Sequence, residues 1–417
     1  MRKIIFAFIV LSVCLETQAT SLVNRYQFLS TDVLPDEIWT FGVSHGQSVG
    51  MGRDSFSSTG EKISNQQFFS KDVTYSNLID EIKVPIERDL AQAAFSVYGR
   101  NDSTVAGRVI NDVDVSQSSN TYVLGRGLGK KASLFLVFPI VTIKTKFISR
   151  FEQSTSLSKL GEELRSEGQF RQAQEIVEKS ENALSKRLDE NGYDNTYPTE
   201  LTTLANVHIN YRYQVINLER FKLSSDSILV VPAGKKFNQN EFLYLKINEE
   251  QYSYKQSVTG QFAPSADLSL LSSAYYHKRF SFTQSRRIPK NSTSPLSSDI
   301  DPATQIKFGD TFGASTQLNY SSNDSLVFYL GQSFEVKQKD STAGSAFATN
   351  RYDYLEKDTA QKLGITYIGV ALNTIQYFLT QKFPAPVDLN VQYSVTNYGK
   401  NTLDNQALAM NLMVFYK

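Results

Sequence analysis

A single cysteine, Cys14, stands among 417 residues, and it falls in a segment that reads as a leader. Arg2 and Lys3 precede an apolar run from Ile4 to Cys14, and Thr17-Gln18-Ala19 follows as a small-residue cleavage site, so residues 1–19 are expected to be a secretory signal peptide. The rest, 20–417, then holds no thiol. That excludes disulfides and thiolate metal centres, and it suits passage through an oxidising periplasm. Excess charge is also missing: 43 basic residues face 42 acidic ones, a net of +1, and no basic surplus points to nucleic acid as a partner. Histidine occurs three times, no run of His, Asp or Glu has metal-ligand spacing, and no phosphate-cradling glycine fingerprint precedes a helix. No cofactor or metal is expected. Nor does any stretch after the leader reach the roughly 18 uninterrupted apolar residues of a membrane-spanning helix.

What the chain does have is aromatic residues, 27 Phe and 22 Tyr, set in short alternating segments rich in Ser, Thr, Asn and Gln. From Leu201 to Val215 the odd positions include Leu201, Val207, Ile209, Tyr211 and Tyr213, and the even ones Asn206, His208, Asn210, Arg212 and Gln214. One face is apolar and the other forms hydrogen bonds. Ile306–Tyr320 and Leu326–Val336 repeat the split around the polar turn Ser321-Ser322-Asn323-Asp324, and Val387–Val395 repeats it again. Strands of soluble sandwiches usually run about 5–6 residues, whereas a tilted membrane strand needs roughly 9–11. Several segments here exceed that length. The expected fold class is therefore all-β: a transmembrane antiparallel up-and-down barrel in an outer membrane.

Candidate strands lie near 37–47, 106–126, 132–148, 199–217, 225–236, 242–262, 266–284, 304–320, 325–338, 361–371, 385–397 and 406–417, about 12 in all. Fourteen is possible if 48–105 hides another hairpin. Connections alternate between short ones, as at 127–131, 218–224, 263–265 and 321–324, and long ones at 48–105, 149–198, 285–303 and 339–360. The short set suits periplasmic turns and the long set extracellular loops, with both termini periplasmic. The exceptions are a short outer loop near 237–241 and a longer inner stretch, 372–384. Helical spacing of Phe170, Ala173, Val177, Leu184 and Leu188 makes Leu157–Leu188 an amphipathic helix within an outer loop, and Ile86–Tyr98 is a second, shorter candidate. Either is a lid over the lumen or a packed surface loop.

The polar strand faces supply candidate lumen-lining residues: His208, Asn210 and Arg212; His277 and Arg279; Lys307 and Gln317; Glu335 and Lys337; Asp388, Asn390 and Gln392. They are either ordinary lumen wall or a constriction whose charges set a local field. Pro139 and Pro232 lie inside strand-like runs. Proline cannot donate to a ladder, so each predicts a kink, a bulge or a lateral opening. Chemistry has little to work with: His45 and Ser48 are three apart on a strand and point to opposite faces, which argues against a catalytic pair.

Several motifs in order resemble the outer-membrane transporter family for long-chain fatty acids and aromatic hydrocarbons, including the barrels of phenol degradation. They are Leu34-Pro35-Asp36-Glu37-Ile38-Trp39 before the first strand, Phe138-Pro139-Ile140-Val141 in the second hairpin, Val230-Val231-Pro232-Ala233-Gly234-Lys235, and Lys382-Phe383-Pro384-Ala385-Pro386. The resemblance implies passive uptake of a small hydrophobic solute through a plugged lumen or a kinked wall. Only some sixteen residues separate Ala19 from the first strand, too few for that family's N-terminal plug, so a plug is expected from 48–105 or the helical loop. The last strand ends Leu412-Met413-Val414-Phe415-Tyr416-Lys417 and looks like the C-terminal signal read by the barrel-assembly machinery. Outer-membrane lipid, that machinery and a small hydrophobic solute are the expected partners. The alternatives are a structural or adhesive surface barrel with a sealed lumen and, less favoured, a phospholipase-like rim hydrolase.

Overall fold

A computed structural model describes residues 30–49, 54–64, 71–76, 103–155, 188–194, 200–241, 250–291 and 297–417, with isolated positions 92, 96, 158, 159 and 162. Twelve strands make the wall: β1 Trp39–Val49, β2 Val105–Leu128, β3 Ala132–Gln153, β4 Val207–Asn217, β5 Phe221–Val231, β6 Ser253–Phe262, β7 Leu268–Arg279, β8 Thr311–Ser321, β9 Leu326–Lys337, β10 Gln361–Asn373, β11 Val387–Lys400 and β12 Gln406–Tyr416. Each pairs antiparallel with the next, and β12 closes the ring on β1 from Trp39↔Tyr416 to Val49↔Gln406. Hydrocarbon offers backbone amides no partners, so a sheet that faces lipid is stable only when no edge is left free.

Alternation along the strands builds a two-sided wall. Phe41, Phe312, Leu330 and Ile368 keep 45%, 48%, 53% and 57% of their surface exposed on the outside. Ser133, Ser224, Thr259 and Asn390 alternate with such residues and are buried on the inside. At the periplasmic rim Trp39 pairs with Tyr416, and the Arg126 guanidinium lies 5.0 Å over the Trp39 ring. Aromatic residues with a cation beside them suit the boundary between lipid and water.

The ring has twelve strands, not fourteen. Within 48–105 the described hairpin Asp54–Phe56 and Lys62–Ser64 pairs with Thr402–Leu403 in a separate small sheet, and Lys71–Thr74 only borders β2. The strand expected at 225–236 is β5, which starts earlier, because the turn is the tight Leu218-Glu219-Arg220 closed by Leu218 N–H to Phe221 O at 2.9 Å. β6 starts only at Ser253, so the outer connection is longer than the expected 237–241, with 232–241 and 250–252 outside both strands. The segments expected at 266–284 and 304–320 both break where the chain leaves the barrel: Phe282–Arg287, Ile300–Lys307 and Ser341–Ala343 form a three-stranded sheet of their own. Gly309 sits at the second break, where an added Cβ would come within 1.9 Å of Gln338 O. The longer inner stretch carries a short helix, Ile375–Leu379. The signal peptide and nearly all of the helical segments 86–98 and 157–188 lie outside the described residues.

Candidate functional site

Residues 30–38, just before β1, do not hang free in the periplasm. Working back from Trp39, Pro35 presses on β2, where a Cβ on Gly127 would stand 1.9 Å from Pro35 O. The Leu34 amide donates to Ser133 Oγ of β3 at 2.7 Å. Asp32 takes Lys222 Nζ of β5 at 2.7 Å on its carboxylate and Arg212 Nη1 of β4 at 3.3 Å on its carbonyl. Buried Thr31 donates to Gln261 Oε1 of β6 at 2.8 Å and accepts Gln214 Nε2 of β4 at 3.3 Å. Residues 31–35 thus form a strap along the inner wall of five consecutive strands, β2 to β6, at their periplasmic ends. The segment is too short for the N-terminal plug of the family that the motifs resemble, yet long enough to lie along the wall. A globular plug needs length, but an extended strap gains about 3.3 Å per residue.

The candidate lumen residues do not gather at one point. His208, Asn210 and Arg212 stand on the inner face of β4; Arg212 Nε meets Asp226 Oδ1 of β5 at 2.7 Å, and Asn210 Oδ1 is buried without a partner among the described residues. Asn390 and Gln392 of β11 lie against Tyr329, whose hydroxyl accepts Asn390 Nδ2 at 2.8 Å and donates to Gln392 Oε1 at 3.3 Å. Asp388 accepts Asn373 Nδ2 at 3.4 Å. Gln317 donates to Asn319 Oδ1 at 2.7 Å. Toward the outer end, His277 Nε2 bonds Ser253 Oγ at 2.8 Å, Arg279 Nη1 donates to Gly309 O at 2.7 Å, and Lys337 pairs with Asp340 at 2.5 Å. Glu335 accepts the Tyr275 hydroxyl, while Lys255 Nζ lies 4.0 Å over the Tyr275 ring. Lys307 is the exception: it belongs to the separate outer sheet and exposes its side chain, 3.7 Å from Asp310. Its parity continues that of β8, but Phe308-Gly309-Asp310 breaks the strand between them.

The two prolines meet at one defect. Val137 of β3 pairs with His208 and Ile140 pairs with Leu204, so two residues of β3 oppose Ala205, Asn206 and Val207. Pro139 sits at that bulge and accepts the Ala205 amide at 2.7 Å. On the other side β5 ends with Val231 against Val207, so Pro232 follows beside Asn206, just outside the strand rather than within it. Neither proline has an N–H to give, and the strand gives way between them. Asn206 is 2% exposed, and both its side-chain polar atoms lack partners among the described residues. The inner face of β3 along this stretch, Phe135, Val137, Pro139, Val141 and Ile143, is wholly apolar, and Val141 and Ile143 are fully buried.

Parity alone did not reveal how the inner tyrosines are stowed. Tyr275 lies over Gly313, Tyr367 over Gly331 and Tyr329 over Gly369, each pair directly cross-strand, so the rings lie along the wall instead of across the lumen. The signal was present as glycines of inward parity inside long strands. As for a hydrolytic pair, His45 faces outward, bonded to Asn120 at 2.8 Å, while buried Ser48 donates to Gln117 O on the other face.

No protein-family model matches the chain, and no curated protein sequence matches it. Among solved structures, an outer membrane channel from Pseudomonas putida F1 superposes with a TM-score of 0.53 at 10% identity, covering 94% of this chain and 99% of that one. A FadL homologue from Pseudomonas aeruginosa reaches 0.34 at 10% identity, covering 93% and 92%. The Pseudomonas putida toluene transporter TodX reaches 0.30 at 8%, covering 92% and 89%. The first of these shares the fold. Its likeness, the closed ring of twelve strands and the outward apolar belt together identify this chain as a transmembrane β-barrel with the architecture of an outer-membrane channel.

Proposed function

We propose that the chain mediates passive uptake of small hydrophobic or amphipathic solutes across the outer membrane. The observation that carries this reading is the apolar inner stripe of β3 beside the break at Ala205–Asn206. The inner face of β10 is also apolar, with Leu363, Ile365 and Ala371, but the stripe of β3 is the one that leads to a place where the ladder is interrupted by two prolines. A solute entering from outside would follow that stripe, and the defect between Pro139 and Pro232 is a lateral exit. His208, Asn210, Arg212, Gln317, Asn390 and Gln392 line the aqueous side of the same lumen.

Proteoliposomes test this directly. Purified protein is expected to speed entry of an aromatic hydrocarbon or a medium-chain fatty acid, and Val141→Asn with Ile143→Asn is expected to slow that entry while leaving ion conductance in place. Entry no faster than through protein-free vesicles would overturn the reading.

The strap along the wall of the periplasmic mouth favours a second reading, a surface barrel with a sealed lumen whose outer loops bind a partner. It is supported by the way Arg287 ties those loops together: its guanidinium donates to the carbonyls of Asn191, Gly192, Gln239 and Ser297 and lies 4.2 Å over the Tyr193 ring. Trimming the loop within 149–198 beyond the end of β3 at Gln153 separates the two readings. Loss of attachment with unchanged permeability would favour the sealed barrel.

A further inference from the structure

The outer wall is not uniform around the ring. Along β11 and β12 the outward residues Leu389, Val391, Leu408, Met410 and Leu412 are apolar, as a lipid-facing surface requires. Near the middle of β7, β8 and β9 they are Ser272, Thr316 and Gln332, all exposed. The ladder sets them side by side, Ser272↔Thr316 and Thr316↔Gln332, and extends the row to Gly260 of β6 through Gly260↔Ser272. Among the described residues none of the three polar side chains hydrogen-bonds to a neighbouring side chain. Above the row Ala274 pairs with Ala314, so the patch is shallow as well as polar. Leu270, Leu318, Leu330 and Phe334 surround it and are themselves exposed, which places it within the apolar belt and not at its rim.

Hydrocarbon gives an amide or hydroxyl no partner, so such a row is costly against lipid. Small residues that allow close approach, with polar residues bonding across the gap, are how membrane proteins recognise one another. Ser, Thr and Gln each carry both a donor and an acceptor, so the row is complementary to itself across a two-fold axis. No charged side chain points outward along β8 or β9, so two copies would meet without repulsion. The row runs from Gly260 of β6 to Thr366 of β10, which pairs with Gln332, and so crosses five strands, about 24 Å of wall at about 4.8 Å each.

We propose that this face, centred on Thr316, binds a second copy of the chain in the plane of the membrane. The experiment uses the full-length protein in native outer membranes. Thr316→Cys is expected to give a covalent dimer on oxidation, whereas Leu412→Cys, four strands away on the apolar wall of β12, gives none. Gln332→Leu, which suits lipid better and leaves the barrel intact, is expected to weaken dimerisation by roughly tenfold in vesicles of varied protein-to-lipid ratio. Gel migration without heating verifies that each variant is folded. Equal cross-linking at both cysteines, cross-linking at neither, or capture of a different protein at Thr316→Cys would each overturn the assignment, as would an unchanged dimer fraction in Gln332→Leu.

Discussion

Gly331 carries no side chain because the ring of Tyr367 already occupies the space one would need: an added Cβ would meet Tyr367 Cζ at 2.3 Å. The reciprocal pair, Tyr329 over Gly369, lies beside it, and the two rings meet edge to face with centroids 6.3 Å apart. None of these glycines needs a left-handed backbone, so what the site requires is room. Large rings are stored flat, the wall gains packed apolar area, and the lumen keeps its width. Gly331→Ala is therefore expected to lower stability by about 1–3 kcal/mol through overpacking. Urea unfolding in micelles measures it. In the double variant with Tyr367→Ala the two penalties should fall well short of adding, because the clash is gone. Strict additivity would show that the glycine is not there for the ring.

Strands that alternate cleanly were legible to within a few residues: the segments expected at 325–338, 361–371 and 385–397 correspond to β9, β10 and β11, because lipid on one face forces a period of two. β5 was misplaced for a physical reason. Its outward Ser225 and Ser227 are as polar as its inward Ser224 and Asp226, so the pattern fades at the strand's start. Parity identified the inner face at His208, Asn210 and Arg212, but their partners Asp226 and Asp32 depend on register and on a strap that has no periodicity to read. The outer sheet was invisible because its strands continue the barrel strands until single glycine or serine breaks redirect them. That sheet is pinned by Asp301. Burial pushes the Asp301 carboxyl up, but hydrogen bonds from the Tyr352 hydroxyl and from the amides of Ala303, Ser345 and Ala346 outweigh it and hold the group below the usual carboxylate range. A lowered folded-state value means full stabilisation above the unfolded value of about 3.9 and loss as pH falls through the lower folded value. Proteolysis of the loop at 339–360 should thus stay slow at pH 5 and accelerate only as the pH drops below about 4. Asp301→Asn should be cut faster at pH 5 and lose most of that pH dependence.

At the scale of the whole molecule, a closed ring has no soft edge, so any opening must come from parts that are not ladder. The strap is such a part. It is held by a few polar contacts rather than by strand pairing, and its ion pair Lys222–Asp32 is 31% and 63% exposed, a kind of pair worth only about 0–1 kcal/mol and screened by salt. Because the strap runs along five of the twelve strands, freeing it should widen the periplasmic mouth while leaving the ring unchanged. Deleting residues 30–34 is expected to raise single-channel conductance about twofold, since a barrel of fixed strand number has a fixed cross-section and only the obstruction changes. Lys222→Ala with Gln261→Ala, which keeps the strap at full length, should act in the same direction and produce flicker between two levels as the strap leaves and returns. High salt should increase that flicker in the unaltered protein. If the deletion and the double variant both leave conductance unchanged, the narrowest point lies elsewhere along the lumen, and the strap serves only to brace β2 through β6 against one another.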